Sequence, residues 1–140
     1  MNELIRERRL SVTLKIIAFV FVVPFSLFFV LLLSNSSLIA EGSLLGAMLR
    51  WQPYNTAYET MIATIYIVWG IVLWKASANP SDNKLLIEFT IWGNLAHAGV
   101  MLISAFAIEG EITHAVGDVM VLLLVGGVLL WLRPSARIAT

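Results

Sequence analysis

VTLKIIAFVFVVPFSLFFVLLL, residues 12–33, is an apolar run interrupted by Lys15, Pro24 and Ser26 and preceded by Arg6, Arg8 and Arg9. A basic segment before an apolar one is the pattern of a cleaved export signal, whose apolar core spans only ~7–15 residues before an A-x-A-like site. This run is too long for that and no such site closes it, so it reads as a retained transmembrane helix, with Pro24 a point for a kink. Around it, the composition places the chain in lipid: 59% of its 140 residues are hydrophobic, 13% are charged, and the mean hydropathy is +0.88.

Three more spans follow from the same reading, giving predicted spans at about 12–34, 57–75, 85–108 and 113–132. The turn-rich Asn79-Pro80-Ser81-Asp82-Asn83 separates the second from the third, and Glu109-Gly110-Glu111 separates the third from the fourth. Between the first two, Gly42 to Trp51 (GSLLGAMLRW) is predicted to lie as a short interfacial helix, ended by Gln52-Pro53-Tyr54-Asn55. The expected fold is therefore all-α: a four-helix transmembrane bundle forming a single membrane domain over residues 1–140. Four helices of ~20 residues leave no room for a second, soluble domain.

Basic residues flanking spans are retained on the cytoplasmic side. Four spans put Arg6, Arg8, Arg9, Lys15, Lys75, Lys84, Arg133 and Arg137 on one side and Arg50 on the other. Both termini are thus expected in the cytoplasm, N-in and C-in, with Trp74 and Trp131 anchoring the inner interface and Trp51, Tyr54 and Tyr58 the outer one. The balance of nine basic and nine acidic residues argues against nucleic acid as a partner. With no cysteine, the chain itself supplies no disulfide, thiolate ligand or thiol nucleophile.

An ionisable side chain at mid-span costs about 2.5–3.5 kcal/mol, so those kept there are expected to face the bundle interior. Glu59, His97, His114 and Asp118 are the candidates. Counting ~1.5 Å per residue from the turns, Glu59 comes level with Asp118, His97 lies about one turn deeper and His114 about one turn farther out. Thr90, Gly93, Asn94, His97, Met101 and Ser104 share one face of the third helix, whereas Glu88 lies opposite, within reach of Lys84. Imidazole with carboxylate suits zinc, iron or copper, which makes the four a candidate metal set. The same groups could relay protons or bind a polar ligand. The competing reading is plain packing polarity: His97 and Asn94 hydrogen-bonded across the bundle, and Asp118 accepting from His114. The small residues Gly93, Ala96, Gly99 and Val100, and Gly126 and Gly127, read first as close helix contacts and second as room for a cofactor.

The stretches PYNTAYETMIATIYIVWGIVLWKASANP (Pro53 to Pro80) and EFTIWGNLAHAGVM (Glu88 to Met101) resemble those of an uncharacterised bacterial family of small four-helix membrane proteins, similar in layout to DoxX-like proteins. The resemblance implies a bacterial inner-membrane location and singles out the Glu59/His97 pair; it brings no catalytic residues. Small multidrug transporters share the size and span number but carry an essential acid in the first helix, and none stands between Leu10 and Ser34 here.

No G-x-S-x-G, Walker, H-E-x-x-H or G-x-G-x-x-G pattern is present. The leading expectation is a non-enzymatic accessory or structural subunit that self-associates or packs on other membrane subunits. The alternative is a metal-, ligand- or proton-binding protein using Glu59, His97, His114 and Asp118. A small-solute transporter ranks last because residues 121–130 are almost wholly apolar. A metal ion and bound lipids are the ligands these readings anticipate.

Overall fold

The computed structural model describes residues 3–133; Arg137, counted above among the basic residues, and Pro134 lie outside the described residues. Among the described residues six helices follow one another: α1 (Glu3–Leu33), α2 (Leu44–Leu49), α3 (Thr56–Ala76), α4 (Lys84–Ala107), α5 (Thr113–Val116) and α6 (Asp118–Leu132), with 3-10 turns at Ser37–Ile39 and Pro80–Asn83. Four segments are long and apolar enough to cross a membrane: α1, α3, the Pro80 turn with α4, and α5 with α6. The all-α, four-span prediction stands.

Two spans depart from the sequence reading. The first helix starts at Glu3 rather than near residue 12, so its 31 residues reach ~46 Å, well beyond a ~30 Å hydrocarbon layer. The overhang carries Arg6, Arg8 and Arg9, whose long stems tolerate helix and whose charges need the headgroup region. Pro24 sits inside α1 without ending it. The fourth span breaks at Gly117, whose φ of −96° and ψ of −108° are non-helical, so that α5 and α6 are separate segments.

Local chemistry accounts for the remaining ends. Asn35 adopts φ +49°, and the backbone N–H groups of Asn35 and Ser36 donate to Leu32 and Leu31, closing α1 with an αL turn of the kind Asn tolerates. Ser43 caps α2 by accepting from Gly46 N at 2.9 Å, and Asn55 caps α3 by accepting from Tyr58 N at 3.0 Å.

The spans pack as two close pairs, α1 with α3 and α4 with α6. One glycine permits each approach. A Cβ at Gly70 would lie 2.9 Å from Ala18 O, and one at Gly126 would lie 2.7 Å from the Leu95 side chain. Gly93 makes room for Trp69 instead, while Gly99 and Gly127 have open space where a Cβ would stand, so the small-residue expectation holds at Gly93 and Gly126 and not at Ala96 and Val100, which are exposed, or at Gly99 and Gly127.

Aromatic rings fill the α1/α3 pair and reach the other pair at Phe89. Phe25 stacks on Tyr66 at 4.3 Å, Phe21 meets Tyr66 edge-on at 5.0 Å, and Trp69 reaches Phe89 on α4 at 5.1 Å. Trp69 Nε1 donates to Thr90 Oγ1 at 3.0 Å, and Thr90 in turn donates to Leu86 O. At one end, called here the basic end, Ser11 donates to Ser77 O at 2.6 Å and Arg6 donates to the carbonyls of Leu132 and Arg133. Segment 34–55 folds over the other, the cap end.

Candidate functional site

Three of the four polar residues picked out from the sequence, Glu59, His114 and Asp118, lie at the cap end, in two clusters rather than one, and His97 joins neither. Arg50, just past α2, and Glu59, in the first turn of α3, are nine residues apart, and the turn at Gln52–Asn55 folds them together. Nε lies 2.9 Å from Glu59 Oε1 and Nη2 lies 2.8 Å from Oε2, a two-pronged geometry that matches guanidinium to carboxylate. Arg50 also donates to Ile39 O at 3.2 Å and Thr56 Oγ1 at 3.3 Å, and its guanidinium lies 4.4 Å from the Tyr54 ring centroid. Both ionic side chains are only 11% exposed, so each charge depends on the other.

Trp51, the very next residue, grips the opposite helix pair. Its indole stacks on the His114 ring with centroids 4.2 Å apart, and its Nε1 donates to Asp118 Oδ2 at 3.2 Å. The sequence reading made Trp51 an interfacial anchor; the fold turns it inward because His114 offers a flat apolar face and Asp118 an acceptor. Gln52 N then donates to Glu111 Oε1 at 3.3 Å, and Thr113 Oγ1 donates to Ala47 O at 3.4 Å. Arg50 and Trp51 thus form a clasp with one prong on α3 and the other on α5–α6.

His114 is the best enclosed of the four candidates, its side chain 0% exposed. Nδ1 lies 3.0 Å from Asp118 Oδ2. Nε2 lies 3.1 Å from Glu111 Oε2, within ion-pair distance but angled away from a hydrogen bond. A neutral imidazole has one N–H and can serve one of these carboxylates, whereas the doubly protonated ring can serve both. Asp118 Oδ1 accepts from Val119 N at 2.9 Å, which opens α6 after the break at Gly117.

Of the sequence candidates, then, His114 and Asp118 are brought together, as the i,i+4 spacing foretold. Glu59 is taken by Arg50. His97 is not turned into the interior but is exposed on the flank of α4, with Tyr66 its ring neighbour at 6.4 Å. Buried interior polarity at that depth belongs to Thr90 and Asn94, both 0% exposed, with Asn94 Nδ2 donating to Thr90 O at 2.7 Å. Among the described residues no contact joins Glu59 to His97, and no group of three or more His, Asp or Glu side chains is arranged to hold a metal ion. The reason at His114 is geometric: its two carboxylates lie at opposite nitrogens and share no common centre. Glu88 also finds other company than Lys84, accepting from Trp92 Nε1 at 3.1 Å and lying 3.6 Å from Arg133 Nη1.

Two participants were missed. Glu111 could have been found from its i,i+3 spacing to His114, which a turn assignment obscured. Arg50 as a partner of Glu59 had no periodic signal, since the pairing crosses a turn.

Residues 11–139 match the family of unknown function DUF6632, and the chain belongs to that family. The match supports the expected kinship with an uncharacterised family; no relation to DoxX-like proteins is found. No curated protein and no solved structure matches the chain.

Proposed function

We propose that this family member is an accessory or structural subunit of the membrane, packed through the exposed flank of α4 against another transmembrane helix, from a second copy or from a larger complex. His97 carries the reading. It lies thirteen residues from Lys84 and ten from Ala107, mid-span, yet it is exposed. A polar ring facing hydrocarbon at that depth is costly, and a neighbouring helix that accepts its hydrogen bond removes the cost. Ala96 and Gly99 flank it, and the open space at Gly99 allows a backbone to approach closely. Small side chains and a hydrogen-bonding ring are what helix association uses in lipid, where no hydrophobic drive exists between helices. The cap end meanwhile binds its charges internally, which supports a structural role there.

Extraction in mild detergent or native nanodiscs, followed by mass determination, tests this. A dimer or a larger assembly is expected, weakened by Gly99→Leu; a lone monomer from native membranes would sink the reading. The basic bias of Arg6, Arg8, Arg9, Lys75 and Lys84 supports placing that end in the cytoplasm of a bacterial inner membrane. Because the chain has no cysteine, single cysteines at Ser81 and Ser37 report orientation directly through labelling by an impermeant reagent. Labelling of Ser81→Cys in intact cells would reverse the assignment.

A second reading is a proton-, metal- or ligand-binding role at the cap end, favoured by His114 with a carboxylate near each ring nitrogen. Elemental analysis and an optical spectrum of purified protein, with growth of cells carrying His114→Gln, decide it. An empty, colourless protein whose variant behaves as wild type removes it.

A further inference from the structure

At the basic end, an open groove of about 550 Å³ lies between the start of α1 and the end of α6. Its α1 wall is Ile5, Arg8, Arg9 and Val12, spaced i, i+3, i+4, i+7 and therefore one stripe of the helix; Val128 and Trp131 stand opposite on α6. Arg6 holds the two walls in register by donating to the carbonyls at the end of α6, where a cation also complements the helix dipole. Among the described residues no acidic side chain lines the groove. Its rim is thus doubly cationic and its floor apolar.

The floor continues away from the arginines. Val12, Ile16, Phe19 and Val23 are 49%, 59%, 62% and 46% exposed and carry the α1 stripe toward mid-span, while Leu124 at 61% does the same on α6. An acidic peptide on the rim would leave this path empty. A molecule with an anionic head and long apolar chains fills both parts, and Trp131, 67% exposed, stands where an indole meets a headgroup.

We propose that this groove is a binding site for an anionic phospholipid, its phosphate on Arg8 and Arg9 and its acyl chains along the exposed stripes of α1 and α6. Guanidinium suits the phosphate because its fork of donors matches two oxygens at once. The lipid would seal the shallow contact between α1 and α6 at this end.

Native mass spectrometry of the full chain released from nanodiscs of equal phosphatidylglycerol and phosphatidylcholine is the test. Phosphatidylglycerol should be retained preferentially by wild type. Arg8→Gln/Arg9→Gln should lower that retention about 25-fold, roughly fivefold per arginine, and Trp131→Ala, on the other wall, should lower it several-fold. Lys75→Gln/Lys84→Gln, which removes as much positive charge from the same end outside the groove, should leave it unchanged. Equal retention of the two lipids by wild type, or an equal loss in the lysine variant, overturns the site in favour of general charge attraction. Glycerol phosphate competing as well as the whole lipid overturns the role of the acyl floor.

Discussion

The cap end and the basic end both carry arginine, and they use it in opposite ways. At the cap end the chain must double back, and Arg50 is drawn into the fold, where it meets Glu59 with both partners 11% exposed. At the basic end the helices simply run out, so Arg8 and Arg9 stay exposed on the overhang of α1. Arg6 is intermediate, spent on the last carbonyls of α6. A charge stabilises the fold in proportion to what its removal leaves stranded, and at the cap end that is the enclosed carboxylate of Glu59. The cap end also does what the spans do poorly: α3 meets α4 through Trp69 on Phe89 and Thr90, and the consecutive residues Arg50 and Trp51 tie one pair to the other.

Substitutions can break this contrast, and the largest effect is expected at Arg50. Arg50→Ala should destabilise the protein by about 3 kcal/mol, because Glu59 is left as an unpaired, enclosed carboxylate. Denaturant titration in detergent measures it, and Arg50→Met/Glu59→Leu should cost less than the single change; a larger cost would mean that the pair, not its stranded half, carries the stability. His114→Ala should cost about 2 kcal/mol, through loss of the Trp51 stack and of the ring that lies between Glu111 and Asp118. Its tryptophan emission should shift to the red as Trp51 is wetted. Trp51→Phe keeps the stack and removes one hydrogen bond, for about 1 kcal/mol. At the basic end, Arg8→Gln or Lys75→Gln should change stability by less than about 0.5 kcal/mol. A loss there as large as that at Arg50 would erase the distinction between the two ends.

The same contrast explains what was legible beforehand. Hydropathy located all four spans because a helix in lipid must be apolar over its whole width, whatever it packs against. The short helix before the second span was also legible, Gly42 to Trp51 being read and Leu44–Leu49 being helical, since Ser43 and the proline turn bound it locally. His114 with Asp118 followed from helical spacing even though Gly117 breaks the helix between them. Glu59 could not be assigned the same way. Its depth agreed with Asp118, but depth ignores rotation about the bundle axis, and Arg50 outcompeted any more distant partner. His97 went astray for a related reason: Thr90 and Asn94 are buried, but the stripe that holds all three is wide enough to leave one edge uncovered.

By itself the sequence determined that this chain is a membrane protein of four helices, where the turns fall, and which end is basic. Those properties depend on local composition and on the solvent around each segment, which residue order alone sets. Only the tertiary structure decided where the polar and charged side chains end up. It paired Arg50 with Glu59, turned Trp51 onto His114, left His97 on an open flank and opened a groove beside Arg8 and Arg9. Each outcome turns on how two helix pairs are rotated and spaced, and that is fixed by the close contacts at Gly70 and Gly126 and by the aromatic rings between them.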